Sequence, residues 1–593
     1  MRIQLVCCSL SAHSSHIKQN LIGLESNGTM SEAIWIYTPP LDKAEALAME
    51  LGVSIEIAQI LMNRGIESMD RAQEFFYGTW HDLHDPFLLN GMAMAVERIR
   101  TAIAGREKIL IFGDYDVDGI LSVVILTKAL WTLGATVDYF IPDRLKEGYG
   151  IKEKYIEIVQ KRKATLVISV DCGIKAVPFV NKARERGVDV IITDHHRPGP
   201  SLPDAFAVLN PVLPGSGYPC KNLAGIGVVF KLIQALFTGE KESSVLPHYL
   251  KLVSIGTITD IAELRDENRL FVKLGLKGLE DVENKGLRSL MGFCGLGRKK
   301  VNVGDVGYRI GPRINAAGRM GDADFAVKLF LSDHDEEIYE ISSHLEKLNS
   351  RRQRIEERIY NEAVERIEKK SLTERYKLLV MGCEGWHKGV IGIVASKLKD
   401  RFHRPIILFA YEDSKAYGSG RSIPEFSLIE CLEQNSDFFI SYGGHTLAVG
   451  CVLGCEDILS FKKEVNAFTQ SRISEEDLRR KIRIDTKMDF DDIDSEFLEN
   501  LELLSPFGVG NPRPVFMTDE AEVVSEPRKL KGKHCKFLTR KNGRTMEALF
   551  WERGDWSDNI MKGDRIDLVY TLQTSSYFGE ERQYLSLMDI KKS

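Results

Sequence analysis

Ile109-Leu110-Ile111-Phe112-Gly113-Asp114-Tyr115-Asp116-Val117-Asp118-Gly119 is the stretch on which the fold turns. A short run of branched and aromatic residues ends in three carboxylates and a glycine. Two further runs end in the same way, Leu166–Val170 before Asp171-Cys172-Gly173, and residues 188–192 before Asp194-His195-His196. Runs this short and rich in branched apolar residues, separated by helical segments, read as buried strands of a parallel sheet. In such sheets the ligand crevice lies beyond the carboxyl ends of the strands. Carboxylates and imidazoles from three strand ends then meet in one place. Crowded carboxylates repel unless something positive lies among them, and a divalent cation is the usual remedy. The reading is a metal-dependent hydrolase.

Outward from these runs, strand and helix alternate: a helix from Leu121, a strand-like 137–141, and helices near 152–160 and 176–186. This predicts a parallel sheet covered by helices on both faces across residues 106–334. Residues 335–370 contain neither glycine nor proline and carry Ile338, Ile341, Leu345, Leu348, Ile355 and Ile359 at helical spacing. They read as one long connecting helix, a strut between two lobes. Its Arg351, Arg352, Arg354 and Arg358 read first as a solvated face. Residues 371–468 return to α/β texture, and 469–593 change to short alternating strands that suggest a small barrel. Ahead of the first lobe, 41–105 show helical periodicity without evident chemistry. Residues 1–40 read as a disordered tail, with Met30 an alternative start. The whole predicts a multidomain α/β protein.

At 593 residues the chain exceeds a single core. Its 44% apolar and 28% charged content is that of ordinary globular protein. A formal charge of −6 does not advertise nucleic-acid binding, but it averages an acidic centre with any basic groove. The ten cysteines are scattered, and Cys451 and Cys455 lack a second pair at zinc spacing, which argues against a zinc ribbon and suits a reducing compartment. No apolar run reaches the ~18 residues of a membrane span. A cytoplasmic enzyme with no membrane partner is the expectation.

Asp-x-Asp-x-Asp-Gly also opens EF-hand loops. Here the twelfth position would be Ile125 rather than glutamate, and the segment follows a strand. Oxygen and imidazole donors favour Mn2+ or Mg2+. Asp260, after an apolar helical stretch, either closes the site or caps a helix.

Asp116-x-Asp118, Asp171, Asp194-His195-His196 and Asp260, in that order, resemble the four motifs of the DHH phosphoesterase superfamily. Other segments narrow the resemblance: Arg144 through Glu147-Gly148-Tyr149-Gly150, Gly311-Pro312-Arg313-Ile314-Asn315-Ala316-Ala317-Gly318-Arg319, Trp386-His387-x-Gly389-Val390-Ile391-Gly392, Ser419-Gly420-Arg421-Ser422, Gly443-Gly444-His445 and Pro506-Phe507-Gly508-x-Gly510-Asn511-Pro512. Together they resemble the RecJ family of bacterial single-strand-specific 5′→3′ DNA exonucleases.

That resemblance implies a DHH catalytic domain at 106–334, a second lobe of DHHA1 type at 371–468 and an OB-fold barrel at 469–593. It implies two Mn2+ or Mg2+ ions held by Asp116, Asp118, Asp171, His195 and Asp260, with Asp114 a ligand or its neighbour. His196 would lie beside them towards substrate, with Asp194 orienting the imidazoles. Which carboxylate bridges the ions stays open. The implied reaction releases 5′-mononucleotides from single-stranded DNA in recombination and repair, including mismatch repair. Single-strand-binding protein and a RecQ-type helicase are the implied partners.

Recognition of a strand end needs a phosphate pocket. Arg144, Arg313, Ser419 and Arg421 are the candidates, because guanidinium groups pair with phosphate oxygens and serine adds a short donor. The plain alternative for Arg144 and Arg313 is an internal ion pair. Asn315, Gly444 and His445 are expected at the scissile phosphate. Between Pro527 and Arg544 lie Arg528, Lys529, Lys531, Lys533, Lys536, Arg540, Lys541 and Arg544 with no acidic residue. Phe537, Phe550, Trp551, Tyr570, Tyr577 and Phe578 interleave or follow. OB-folds hold single strands with such basic grooves and stacking aromatics, although most of these rings are expected in the barrel core. The rival reading is a DHH phosphodiesterase of short oligonucleotides or cyclic dinucleotides, which leaves the strand-rich block without purpose. A scaffold without catalysis is a further alternative, against which the intact ligand set argues.

Overall fold

The computed structural model describes residues 33–143, 150–239, 242–297, 299–321, 323–577 and 580–592. Arg144, the 147–149 segment and Phe578 lie outside them. Strands β1 (Lys108–Gly113), β2 (Thr136–Phe140), β3 (Leu166–Val170), β4 (Asp189–Thr193) and β5 (Ala207–Leu209) form one sheet in the order β2-β1-β3-β4-β5. Every pairing in it is parallel. Parallel strands need crossover segments, and the intervening helices supply them. Successive side chains point to opposite faces. Ile109, Ile111, Leu166 and Ile168 accordingly enter one core, while Leu110, Phe112, Val167 and Ile192 enter another. Two-sided burial is why these runs show no polar alternation.

Helices α1 (Val117–Thr132), α2 (Gly225–Leu236) and α3 (Glu242–Thr259) pack on the first face. All twelve residues of α2 are buried. Apart from Gln234 and Lys231, whose Nζ pairs with Glu267 at 2.8 Å, the helix is apolar all round, as an interior helix is. A π-helical turn, Val306–Ile310, leads into α4 (Gly311–Met320).

The strut is α5 (Asp335–Lys369), 35 residues, which at 1.5 Å per residue spans about 52 Å. Its Ile338, Ile341, Leu345 and Leu348 belong to the core of the first lobe, and its Ile359, Ala363 and Ile367 to that of the second. The arginines are not one solvated face. Arg352 is buried against Glu356 and donates to Asn349 Oδ1 at 2.7 Å, and Arg358 donates to the Gly385 carbonyl at 2.9 Å.

The second lobe holds β6 (Leu379–Glu384), β7 (Ile406–Glu412), β8 (Lys415–Arg421), β9 (Phe439–His445) and β10 (Ala448–Gly454), ordered β9-β10-β8-β7-β6. Only β6 and β7 pair in parallel, joined through α6 (Ile391–Phe402). The C-terminal region closes a five-stranded barrel. Its circuit runs Phe516–Val523, Arg565–Tyr577, Glu580–Lys592, Arg544–Phe550 and His534–Lys541, and returns to the first strand by Glu522↔Arg540. This is OB-type closure.

One expectation near the N-terminus needs correction. Ile34–Tyr37, placed in the 1–40 tail, is a strand paired in parallel with Lys481–Ile484. The 41–105 segment does not pack as one body. Ile57, Ile60, Leu61 and Phe76 share a core with barrel residues Phe516, Phe537 and Tyr570, whereas Ala95 and Ile99 enter the core of the first lobe. No helix among the described residues is long and apolar enough to cross a membrane.

Candidate metal centre

The three acidic clusters sit at the carboxyl ends of the adjacent strands β1, β3 and β4, as their spacing predicts. Asp116 caps α1, accepting from the Gly119 amide at 3.2 Å. Asp118, two residues on in the first turn of α1, is buried against the N-terminus of α2. Its Oδ2 accepts from the Gly225 amide at 2.8 Å and its Oδ1 from Ile226 at 2.6 Å. Asp171 follows β3 in the left-handed region, at φ 58°.

Asp194 is the anchor of the histidine pair. It is fully buried and accepts from the amides of Ile174, His195 and His196 and from His196 Nδ1 at 2.7 Å. Burial works to raise its pKa, but the His196 hydrogen bond and charge hold it below the usual value. His195 Nδ1 lies 3.1 Å from the Leu223 carbonyl, which can only accept, so Nδ1 carries the proton. His195 Nε2 then presents a lone pair. That atom is buried with no hydrogen-bond partner, 3.2 Å from Asp171 Oδ1. Two acceptors facing each other across that distance are what an intervening cation reconciles.

Asp260 follows the last residue of α3. A carboxylate at a helix C-terminus is opposed by the helix dipole, so the capping alternative fails, and a neighbouring cation would offset that repulsion. Three groups of donor atoms converge within 4.8 Å: Asp114, Asp116 and Asp171; Asp118, His195 and Asp260; and Asp171, His195 and His196. Asp171 belongs to two of them.

Electrostatics agree with the donor chemistry. Burial, then Asp118, Asp116, Asp114 and Asp260, push the Asp171 carboxyl well above its usual range. Burial and Asp118 do the same to Asp260. Asp118 is pushed up to about 6, chiefly by burial, with His195 pulling the other way. Burial would lower the His195 pKa, yet Asp260 and Asp118 raise it overall. So much buried negative charge fits divalent cations held by oxygen and imidazole, the preference of Mn2+ or Mg2+.

The lobes meet beside this cluster. Gly318 of α4 packs so tightly on the DDG loop that a Cβ would lie 2.1 Å from the Tyr115 carbonyl. The next residue, Arg319, donates to the Gly389 carbonyl of the second lobe at 3.1 Å. Ser419 and Arg421 lie together on β8 against the first turn of α6, where a Cβ on Gly392 would meet Ser419 Oγ at 2.9 Å and Arg421 Nη2 at 3.4 Å. His445 ends β9. Its pKa is lowered by burial and then by His196, Lys175, Arg197 and His195, so it lies within electrostatic reach of the histidine pair.

Arg313 is engaged differently. Its Nε donates to Glu346 of α5 at 2.5 Å and its Nη1 to the Arg309 carbonyl at 2.7 Å, the internal pairing named as its alternative. Asn315 and Gly444 lie on α4 and β9, the elements that carry Arg319 and His445. Lys175 and Arg197 were not singled out from the sequence, although each stands within four residues of a ligand on a strand-end loop. The Leu223 carbonyl and the Gly225 and Ile226 amides were missed because they hold ligands through backbone atoms.

Comparison with known proteins gives the lineage. Family models match at residues 108–257 (DHH family, N-terminal domain), 375–471 (DHHA1 domain) and 484–589 (RecJ OB domain). The single-stranded-DNA-specific exonuclease RecJ of Bacillus subtilis is 38% identical over 558 residues, 93% of this chain and 70% of that protein. The crystal structure of Thermus thermophilus RecJ in complex with Mn2+ superposes with a TM-score of 0.81 at 30% identity, covering 94% of this chain and 79% of that one. The Mg2+ complex from the same organism gives 0.74 at 28% identity over 94% and 78%. The chain belongs to the RecJ family of single-stranded-DNA-specific exonucleases.

Proposed function

We propose that the protein is a divalent-metal-dependent exonuclease that hydrolyses single-stranded DNA from its 5′ end, releasing 5′-mononucleotides. Two donor sets side by side, with Asp171 of one 3.2 Å from His195 Nε2 of the other, carry this reading. Asp114, Asp116 and Asp171 form one cation site, Asp118, His195 and Asp260 the other, and Asp171 joins them. The cofactor is Mn2+ or Mg2+. When bound, a pair of such ions activates water for attack on phosphorus and stabilises charge on the attacking and leaving oxygens. The bond broken is that between phosphorus and the 3′-oxygen of the departing nucleotide.

The chain's own groups orient the strand. His196, held by Asp194, and His445 approach the scissile phosphate from opposite lobes, with Asn315 and Gly444 beside them. Ser419, Arg421 and the first amides of α6 form the pocket for the 5′-phosphate, an anion site of helix N-terminus and guanidinium. Arg144 is assigned there by resemblance. The Arg313 pairing favours a structural role in bracing α4 on the strut. A groove between lobes on a rigid strut admits one flexible strand and excludes a duplex of ~20 Å, a size set by its groove dimensions.

The barrel supplies further grip. Phe537, Phe550 and Tyr570 are core residues, whereas Trp551 is 48% exposed beside His534. Lys529, Lys536 and Arg540 pair with acidic neighbours, but Arg528, Lys531, Lys533, Lys541 and Arg544 have no ion pair among the described residues. Trp551→Ala is expected to weaken oligonucleotide binding by about five- to a hundredfold, as loss of one stacking platform does, with kcat at saturation retained. Fluorescence anisotropy alongside saturating kinetics reads both.

Repair and recombination as the setting, a cytoplasmic location, and single-strand-binding protein and a RecQ-type helicase as partners complete the proposal on the strength of the family alone. The rival, a phosphodiesterase of short oligonucleotides or cyclic dinucleotides, gives no use for the closed barrel. Strands labelled at either end, incubated with Mn2+ or chelator, test the whole. Mononucleotides are expected from the 5′ end only, and from a 5′-tailed duplex but not a blunt one. Equal digestion of both duplexes, or rates that fall as the strand lengthens, would overturn it.

A further inference from the structure

The residue after the metal ligand Asp260 is out of place by every ordinary criterion of folding. Ile261 has φ 62° and is 68% exposed. A β-branched residue in the left-handed region is a marked exception, and glycine or asparagine would sit there with less strain. Being mostly in water, the side chain contributes little buried surface in return.

The backbone around it is pinned. The Asp260 amide donates to the Gly256 carbonyl at 2.9 Å and the Leu264 amide to the Val509 carbonyl at 2.6 Å. Arg265 Nε donates to the Gly510 carbonyl at 3.0 Å, and Asn268 Nδ2 to the Glu263 carbonyl at 3.1 Å. The strap therefore cannot relax and keeps Ile261 where it is. Two more exposed apolar side chains belong to the elements packed against it. Val509, 47% exposed, lies on the barrel-side loop, and Tyr308, 83% exposed, lies in the π-helical turn before Gly311, which abuts Thr259. Strain kept at such a place points to a task beyond folding.

We propose that Ile261 is a substrate contact, an apolar platform for the base or deoxyribose of a nucleotide flanking the scissile phosphate. This rests on the exonuclease reading and extends it to a residue that holds no metal and carries no charge. The cations grip the phosphate, while Ile261 sets how the attached nucleoside lies against the centre. Neither contact depends on which base is present, as suits an enzyme that removes every nucleotide in turn.

Ile261→Asn separates this role from a structural one, because asparagine accepts the same backbone conformation. Ile261→Val keeps the apolar contact and serves as the conservative control. Each is compared with the parent on a 5′-phosphorylated strand, intact or with an abasic second nucleotide. The thermal midpoint of Ile261→Asn is expected to equal or exceed that of the parent, with the Mn2+ dependence unchanged. KM is expected to rise about five- to tenfold, the worth of a modest apolar contact, with kcat within about twofold. Ile261→Val should match the parent. The abasic substitution should raise KM for the parent and have little effect on Ile261→Asn. A parental KM in Ile261→Asn, or a loss confined to kcat and Mn2+ affinity, would overturn the proposal. A parent that leaves single strands intact would instead overturn the exonuclease reading itself.

Discussion

Asp171→Asn is expected to abolish strand hydrolysis while making the metal-free protein more stable. Asparagine keeps the shape of the side chain and removes its charge. Asp171 completes the donor group of Asp114 and Asp116 and lies 3.2 Å from His195 Nε2 of the other, so its loss should disturb both proposed cation sites. A deficit of several kcal/mol at 1.36 kcal/mol per tenfold gives a rate loss of about 10³-fold or more. Affinity for single-stranded DNA should hold within about threefold, because the phosphate grip is spread over many side chains. Stability moves the other way. The Asp171 charge is opposed by burial and by Asp118, Asp116, Asp114 and Asp260, so neutralising it should raise the thermal midpoint of chelator-treated protein by about 2–4 °C for each kcal/mol relieved. Added Mn2+ should then stabilise the parent strongly and the variant little. Thermal unfolding with and without Mn2+, beside a rate assay, checks all three. A variant that digests DNA at the parental rate would remove Asp171 from the site.

Gly225→Ala should damage the same centre from behind, without replacing a ligand. A Cβ there would lie 2.6 Å from Asp171 Oδ1 and 2.8 Å from both Asp171 Cβ and Cγ. Those atoms are buried, so the carboxylate must shift. The Gly225 amide also holds Asp118 at 2.8 Å, so any movement of α2 disturbs a second ligand. Changes behind a metal ligand typically cost about 10–100-fold in metal affinity or activity. The chain should fold, show that loss at limiting Mn2+, and recover part of its activity as Mn2+ is raised. Asp171→Asn should not recover. A Mn2+ titration of activity for the two variants separates a misplaced ligand from a missing one.

Much of this site was legible in the sequence because its ligands follow strands buried on both faces. Residues 109–112 are apolar throughout and 166–170 apart from Ser169, so the switch to aspartate marked each strand end, and parallel order brought those ends side by side. The strut was legible for a similar reason: its apolar positions keep helical spacing across both lobes, with no glycine or proline to break it. What could not be read were partners distant in sequence. Ile34–Tyr37 is short, and its strand partner begins at Lys481. Helices Ile55–Asn63 and Met69–Tyr77 show periodicity, but nothing in them says that their apolar faces cover the C-terminal barrel. The arginines divide in the same way. Arg421 lies beside Ser419 on β8, while Arg313 is drawn to Glu346, a residue of the strut that motif spacing alone does not connect to it. Asp171 as the shared carboxylate also needed three dimensions, since strand order alone leaves each of the aspartates eligible.

The two-cation centre is tested most directly by anomalous diffraction at the manganese edge from crystals grown with Mn2+. Two peaks are expected about 3.5–4 Å apart, one among Asp114, Asp116 and Asp171 and one among Asp118, His195 and Asp260, with Asp171 touching both. A single peak, or peaks outside these side chains, would contradict it.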